Sequence, residues 1–277
     1  MHAGLARAVE QGRAGDRLWL YATYHCNLAC TYCLTESHRR IADRRELSRD
    51  TFVEAARQAR DLGFRALGVT GGEIFMLSWF PEALAEIASL LPTVALTNGT
   101  LFGDRMLARL EPLAAVDVAF QLSLDAAEPE ANDALRGPGN HRDVLDAIGR
   151  LRKRGLRVRI ATTVEHRDDE ALDRLCALHR ELGIPDEDHL VRTIVRRGKA
   201  ALEGLGVELG PHDVLPELTV TAEGAFLHPF APTVRDGKTD LDLRVRPEAL
   251  PLARSLEAFL EAVAALPAGD DVVRNVR

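Results

Sequence analysis

Short apolar runs alternate with longer segments of helical period over most of this chain. Strands are predicted at 18–23, 66–70, 94–97, 117–124, 157–164 and 189–195. Between them, apolar residues spaced by three and four predict helices at about 49–62, 79–90, 103–111, 140–154 and 168–182. Six β–α units in series indicate an α/β protein with a parallel sheet, because parallel neighbours need a crossover connection. The pattern alone does not choose between an open doubly wound sheet and a partly closed barrel.

The pattern changes after the sixth predicted strand. The stretch "LTVTAEGAFLHPF" predicts a β-hairpin, and "PEALPLARSLEAFLEAVAAL" predicts an amphipathic helix. The apolar stripe of that helix, which we expect in the core, consists of Leu252, Leu256, Phe259, Leu260 and Val263. We therefore divide the chain into a lead-in at 1–16, a core at 17–200 and a C-terminal extension at 201–277. The lead-in is a loose segment or a short docking helix, and frequent glycine predicts a loose linker around 197–216.

Composition and charge narrow the class of protein. The 277 residues are 46% hydrophobic and 28% charged, which is typical of a globular protein. A formal net charge of −7 argues against non-specific binding to nucleic acid or to an anionic membrane. The first residues lack the apolar stretch of a secretory signal, and no apolar run is long enough to cross a bilayer. We expect a cytoplasmic protein with reduced cysteines, and neither nucleic acid nor membrane among its partners.

Three of the four cysteines lie in one short stretch, "HCNLACTYC", directly after the first predicted strand. Cys26, Cys30 and Cys33 have the spacing C-x3-C-x2-C and stand at the carboxyl end of a strand, where this architecture binds ligands. Three thiols are one ligand short of a closed zinc site. They are enough to hold three corners of a four-iron cluster and to leave one iron open for chemistry. A zinc site stays an alternative at this point.

The motif resembles the signature of the radical S-adenosylmethionine (radical SAM) superfamily, C-x3-C-x-aromatic-C, with Tyr32 in the aromatic place. The resemblance implies one 4Fe-4S cluster bound by Cys26, Cys30 and Cys33, with SAM chelated at the open iron. It implies reductive cleavage of SAM to a 5′-deoxyadenosyl radical that abstracts hydrogen from a substrate. It also implies a flavodoxin- or ferredoxin-type electron donor and a partial (β/α)6 TIM-like barrel, which would resolve the ambiguity of the fold.

Further likeness to this family stands at successive strand ends, in "TGGE", "TNG", "QLSLDA" and "LRGPG". The resemblance implies that the Gly-Gly-Glu segment receives the methionine amino group, and that the later polar positions contact the ribose and carboxylate of SAM. The backbone at the aromatic position is expected to contact the adenine. The SAM-binding positions expected in this way are Tyr32, Gly71, Gly72, Glu73, Asn98, Ser123, Asp125 and Arg136.

Alternation along the fifth and sixth predicted strands adds candidates inside the barrel. Arg159, Thr163 and Glu165 are expected to point inward, and we count Thr163 among the SAM contacts. An unpaired buried charge is costly, so Arg159 and Glu165 either pair with each other or bind substrate or the methionine carboxylate. Arg192 on the sixth strand is also expected to face the cavity.

The predicted hairpin resembles the start of a SPASM or twitch extension, in which a cysteine begins a set of auxiliary-cluster ligands. The comparable position here is His228, and no cysteine follows Cys176. We expect an extension without its auxiliary cluster that serves as a lid or substrate platform, and His228 is a candidate for substrate contact. Cys176 is expected to pack in the core as a small hydrophobe, with a hydrogen-donating thiol as the alternative.

The resemblance leaves the reaction type open among oxidoreductase, isomerase and lyase chemistry. The hairpin favours a peptide or a peptide-derived intermediate as substrate, and a sugar, nucleotide or lipid is the alternative. A non-catalytic iron–sulfur or zinc-binding module is the alternative of another class. The arginines of "SHRRIADRR" at 37–45 form either a solvated segment or a docking surface for an acidic peptide or electron donor.

Overall fold

The computed structural model describes residues 2–267, so the last ten residues of the predicted C-terminal extension lie outside the described part. Six parallel strands pair in chain order, as the sequence predicts. They are β1 (Arg17–Tyr21), β2 (Ala66–Thr70), β3 (Thr93–Thr97), β4 (Val118–Ser123), β5 (Arg157–Val164) and β6 (His189–Thr193). The result is an α/β fold with a partial (β/α)6 barrel, in which β6 is an edge of the sheet.

Helices connect these strands and cover the outer face of the sheet. The N-terminal helix is α1 (Ala3–Glu10), and the connecting helices are α2 (Arg49–Leu62), α3 (Phe80–Ala88), α4 (Asp104–Leu110), α5 (Pro129–Arg136), α6 (Asn140–Arg152) and α7 (Asp169–Glu181). Local chemistry sets the helix ends: the Ser48 side chain accepts a hydrogen bond from the Thr51 amide, and Gly63 ends α2 at a φ of 90°. Of these helices, α5 lies between two predicted elements and was not predicted.

The extension adds strands to the same sheet at its other side. β7 (Thr219–Thr221) pairs in parallel with β1, β8 (Gly224–Phe226) pairs antiparallel with β7, and β11 (Arg244–Arg246) pairs antiparallel with β8. A separate two-stranded ribbon is formed by β9 (Val234–Arg235) and β10 (Lys238–Thr239). The predicted hairpin is therefore confirmed, and it lengthens the barrel sheet beside the first strand.

The first and the last of the described helices meet on the outside of the sheet. The terminal helix α9 (Leu252–Ala265) packs against α1 and α2, and four of its five predicted stripe residues are buried, with Leu260 partly buried against the core. The prediction of a loose linker around 197–216 is wrong. This segment contains helix α8 (Lys199–Leu202) and packs against the barrel. Within the described residues, none of the helices has the length and apolarity needed to span a membrane.

The ion pair expected between Arg159 and Glu165 is not formed. Arg159 is buried and pairs with Asp188 at 3.5 Å rather than with Glu165. Glu165 follows the last residue of β5, and its partly exposed side chain lies 3.9 Å from His166. The pairing with Asp188 follows from position, because Arg159 lies near the amino end of β5, next to the start of β6, and Glu165 lies beyond the carboxyl end of β5.

Candidate active site

A cavity of about 280 Å³ lies at the carboxyl end of the parallel strands. Its wall is formed by the ends of the strands, the cysteine loop, the segment after β6 and the start of the extension. Every residue predicted for the cluster and SAM sites lines it except Glu73 and Asp125. The predicted residues on the wall are Cys26, Cys30, Tyr32, Cys33, Gly71, Gly72, Asn98, Ser123, Arg136 and Thr163.

Backbone and side-chain N–H groups point at the sulfur atoms of the cysteine loop. The Leu28 amide donates to Cys26 Sγ at 3.4 Å, and the Ser37 amide donates to Cys33 Sγ at 3.4 Å. Asn98 Nδ2 is 3.6 Å from Cys26 Sγ. Such hydrogen bonds stabilise thiolate ligands and tune the potential of a cluster. The loop therefore offers three thiols together with donors suited to their ionised form.

The cysteine loop is held in place by the segment that follows β6. The Lys199 amide donates to the Cys33 carbonyl at 2.9 Å. Gly198 has a φ of +56°, and a Cβ there would lie 2.2 Å from the Leu34 carbonyl oxygen and 2.8 Å from the Cys33 carbonyl oxygen. Only glycine allows this approach. The predicted core ends at 200, just after Gly198, but nothing in the sequence pattern predicts this contact.

Burial makes two of the three thiols, those of Cys26 and Cys30, reluctant to ionise on their own. It raises the pKa of the Cys26 thiol to about 12, and the neighbouring Glu73 charge adds to the effect. Burial also raises the pKa of the Cys30 thiol. Because metal ligands are thiolates, loading iron into this loop would release protons. The donors around the sulfurs and the cation itself would favour that ionisation.

The arrangement bears on the zinc alternative. A zinc ion needs its ligands at about 2.3 Å from one point. In residues 2–267, no three His, Cys, Asp or Glu side chains are grouped to hold a single metal ion. Three thiols that each bind a different iron of a cluster need not converge on one point. Three thiols with N–H donors directed at two of their sulfur atoms are a ligand set that suits such a cluster.

Glu73 lies behind the cavity wall. Its fully buried carboxylate accepts hydrogen bonds from the amides of Phe75 at 3.1 Å and Asn98 at 2.8 Å, and from the Thr97 hydroxyl at 2.8 Å. Burial nevertheless raises the pKa of this carboxyl. The adjacent glycines serve a close approach to the cysteine loop, since a Cβ on Gly72 would lie 2.3 Å from the His25 carbonyl oxygen. The Glu73 amide also donates to that carbonyl oxygen at 2.8 Å.

Asp125 is also behind the wall, where it organises three neighbours. Its carboxylate pairs with Arg136 at 3.0 Å and accepts hydrogen bonds from the Tyr32 hydroxyl at 2.5 Å and the Thr163 amide at 2.9 Å. The Asn132 side chain of α5 accepts a hydrogen bond from the Asp125 amide at 3.0 Å. Arg136 keeps its Nε without a partner within the described residues, so one buried donor is left for a ligand.

Two candidates from the sequence lie off the cavity. Cys176 on α7 is partly buried, and its sulfur is 3.6 Å from His189 Nδ1 on the outer side of the barrel. His228 is buried, shares a hydrogen bond of 3.0 Å with the Pro211 carbonyl oxygen and stacks on Phe230 at 5.8 Å. Burial lowers the pKa of His228 to about 4. Neither side chain lines the cavity, so packing is the role that the structure supports for both.

The sequence reasoning missed the apolar side of the cavity. Residues from the extension and from the segment before it form this side: Val207, Leu209, Pro229 and Phe230. The only signal for it was the position of "HPF" at the end of the predicted hairpin. Arg192 does line the cavity, as the alternation along β6 predicts.

The site and the fold together define a known class of enzyme. Residues 20–178, more than half of the chain, match the family model described as the radical SAM superfamily, and the chain belongs to that superfamily. Enzymes of this superfamily use a 4Fe-4S cluster and SAM, as the sequence predicts.

Similar proteins include two curated enzymes and a solved structure. The mycofactocin maturase MftC of Mycolicibacterium smegmatis is 32% identical over 163 residues, which are 58% of this chain and 41% of the maturase. The GTP 3′,8-cyclase of Pseudomonas entomophila is 29% identical over 179 residues, 62% of this chain and 53% of the cyclase. The chain thus spans about half the length of these relatives. The structure of anSMEcpe with bound AdoMet and the Kp18Cys peptide has a TM-score of 0.64 at 15% identity and covers 90% of this chain and 84% of that chain.

Proposed function

We propose that Cys26, Cys30 and Cys33 hold three irons of one 4Fe-4S cluster, and that SAM binds beside the fourth. When bound, the reduced cluster supplies the electron that cleaves SAM to methionine and a 5′-deoxyadenosyl radical, which abstracts hydrogen from an organic substrate. The observation that carries this proposal is the common cavity: the three thiols of the motif line the same space as most of the expected SAM contacts.

The chain's own residues would bind and orient SAM. The backbone of Gly71 and Gly72 forms the wall nearest Glu73, whose carboxylate gives this wall negative character suited to an ammonium group. The unpartnered Nε of Arg136 suits a carboxylate. Asp125 holds Arg136 and Tyr32 in position and is a positioning residue in this account. Ser123, Thr163 and Asn98 are the polar wall groups proposed for the ribose and the adenosyl side.

A peptide or a peptide-derived intermediate is the substrate class that we favour. The apolar side of the cavity suits apolar side chains of a substrate. The anSMEcpe structure, which has a similar fold, has a peptide bound together with AdoMet. The similarity to a GTP 3′,8-cyclase supports a nucleotide as the second candidate. The likeness of the extension to a SPASM or twitch domain stays a prediction.

A flavodoxin- or ferredoxin-type protein is the proposed electron donor. The arginine-rich loop is mostly exposed and packs on the cysteine loop, since Arg39 Nε donates to the Asn27 carbonyl at 2.9 Å. A basic surface beside the cluster suits an acidic donor. Location in the cytoplasm stays a prediction from the sequence.

Anaerobic reconstitution with iron and sulfide tests the proposed function. We expect the wild-type chain, reduced with dithionite in the presence of SAM, to form 5′-deoxyadenosine. Cys30→Ser should lose the cluster and this product. The matched control Cys176→Ser removes the one cysteine outside the motif and should keep both. A colourless, zinc-bound protein, or equal product from Cys30→Ser, would contradict the proposal.

A further inference from the structure

Arg192 differs from the other arginines inside the barrel. Its side chain lines the cavity and is partly buried. Within residues 2–267 it has neither a hydrogen bond nor an ion pair, whereas Arg136 pairs with Asp125 and Arg159 pairs with Asp188. Burial lowers the pKa of Arg192, the neighbouring Tyr32 and Asp125 act against this effect, and the Arg136 charge adds to it; a guanidinium nevertheless remains charged in proteins. A charge held in a partly buried cavity without a counter-ion is costly.

Asp125, the carboxylate whose charge acts on Arg192, already has other partners. Asp125 accepts from Arg136, from the Tyr32 hydroxyl and from the Thr163 amide, and its side chain is fully buried. Two buried carboxylates adjoin the cavity, and neither pairs with Arg192: Asp125 pairs with Arg136, and Glu73 accepts its hydrogen bonds from two backbone amides and the Thr97 hydroxyl. The guanidinium of Arg192 is therefore available to a ligand.

The two arginines lie close enough for their charges to interact, and they differ in what else they adjoin. The Arg136 carbonyl accepts a weak hydrogen bond from Cys30 Sγ at 3.8 Å, so Arg136 adjoins the cluster end of the cavity. Arg192 lies on the edge strand β6, next to the segment in which the Ile194 carbonyl accepts from the Val207 amide at 2.9 Å. That segment belongs to the apolar side of the cavity. We assign the carboxylate of SAM, which would bind beside the cluster, to Arg136. The guanidinium of Arg192 is then available to the substrate.

We propose that Arg192 binds a carboxylate of the substrate, either the C-terminal carboxylate or a side-chain carboxylate of a peptide, while the apolar side of the cavity holds the group next to it. This inference rests on the proposed function. A planar guanidinium can donate two parallel hydrogen bonds to one carboxylate. This interaction is stronger in a partly desolvated site. Arg192 would thus fix the orientation of the substrate relative to the radical.

Binding of small probes to the reconstituted, SAM-saturated chain tests this proposal without substrate turnover. The probes are N-acetyl-leucine for a C-terminal carboxylate, N-acetyl-glutamic acid α-amide for a side-chain carboxylate, neutral N-acetyl-leucinamide and inorganic phosphate, each titrated by ligand-observed NMR. We expect at least one carboxylate probe to bind the wild type more tightly than the amide does. Arg192→Gln should weaken that probe about tenfold to hundredfold, and Arg192→Lys should weaken it less.

Arg105→Gln, at an exposed arginine on α4 outside the cavity, is the matched control and should bind the probes as the wild type does. Equal binding of carboxylate and amide probes, or no loss in Arg192→Gln, would overturn the proposal. The proposal is also overturned if phosphate is the tightest probe and its binding is lost in Arg192→Gln. That result would favour a nucleotide as the substrate. A loss of SAM affinity with unchanged carboxylate binding would assign Arg192 to SAM. If Arg192→Gln fails to fold, Arg192→Lys decides. If the wild type forms no 5′-deoxyadenosine, the proposed function is contradicted, and not the role of Arg192. The probe titrations do not depend on that product.

Discussion

Gly198 is the residue that fixes the distance between the cysteine loop and the end of the barrel. Its positive φ and its contact with the Leu34 and Cys33 carbonyl oxygens leave no room for a side chain. We expect Gly198→Ala to lower the free energy of unfolding by about 2 kcal/mol or more, because it adds backbone strain to a clash with main-chain atoms. Urea unfolding and iron content after reconstitution measure the effect.

Gly204→Ala is a matched control for this change. Gly204 has a similar φ of +71°, but nothing lies within 4 Å of its would-be Cβ. It should lose only the part of the stability that comes from the left-handed backbone, about 1 kcal/mol, and keep its iron. Equal losses in the two variants would show that the contact with the cysteine loop is unimportant.

Glu73 gives a second prediction at the scale of a residue. Each of its carboxylate oxygens accepts a backbone N–H, one from Phe75 and the other from Asn98. In Glu73→Gln the amide NH2 must face one of these donors whichever way the side chain turns. We expect a loss of about 1–3 kcal/mol in unfolding free energy, measured with urea.

Exposed Glu128, which pairs with Arg174 at 2.7 Å, is the control for this substitution. Glu128→Gln should change stability by no more than about 1 kcal/mol. If Glu73→Gln were as stable as Glu128→Gln, the buried hydrogen bonds of Glu73 would not have the importance assigned to them.

The sequence predicts which residues meet at the site better than it predicts what each one contacts. Strand ends locate Gly71, Asn98 and Ser123 correctly, because parallel strands bring their carboxyl ends to one edge. Glu73 and Asp125 lie behind the wall instead, since backbone amides and Arg136 already occupy their oxygens. Spacing along a chain carries no information on those competing donors.

At the scale of elements, α7 and β6 meet around two histidines. His179 is buried, both its ring nitrogens lack partners within the described residues, and its ring lies 4.4 Å from that of His189. Burial, and then the His189 charge, lower the pKa of His179 to about 3. The unfolded chain binds this proton below about pH 6.5 and the folded chain does not, so the contribution to stability is lost as pH falls from 6.5.

His179→Phe should remove this dependence, because phenylalanine fills similar space and does not titrate. Between pH 7 and pH 5 we expect the variant to lose about 2 kcal/mol less unfolding free energy than the wild type. Urea unfolding at the two pH values measures the difference. A His179→Phe variant with the wild-type pH dependence would contradict the assignment.

Elements with a strong apolar period were predicted, and short polar ones were not. β5 and α2 follow clear periodic runs, and their observed bounds agree with the prediction. Helix α5 has the sequence "PEANDALR", in which only two positions are buried, so its pattern resembles a loop. The glycines at 198 and 206 suggested a linker, but their positive φ values serve tight packing against the barrel. Apolar periodicity indicates that one face of a helix or strand is buried. It carries no information on such local backbone requirements.

At the scale of the whole molecule, charge is distributed unevenly. The net charge is −7, yet the loop that packs on the cysteines exposes Arg39, Arg40 and Arg44. If this loop receives an acidic electron donor, Arg40→Glu/Arg44→Glu should slow reduction of the cluster by flavodoxin about tenfold at low salt, because steering of association is electrostatic. Stopped-flow absorbance of the cluster measures the rate.

Arg60→Glu/Arg65→Glu makes the same change of charge away from the cavity, at the amino end of β2, and should reduce at the wild-type rate. Dithionite, a small reductant, should reduce all three proteins alike. Equal slowing by both double variants would mean that net charge, and not this loop, governs the encounter.

The central claim is that three thiols hold a cluster with one iron left for SAM. The most direct measurement is electron–nuclear double resonance on the reduced, anaerobic protein with SAM labelled with 15N at the methionine amino group and 17O at its carboxylate. This account predicts couplings from both labels to the cluster, and their loss in Cys30→Ser. A cluster signal that SAM leaves unchanged, with no coupling to either label, would contradict it.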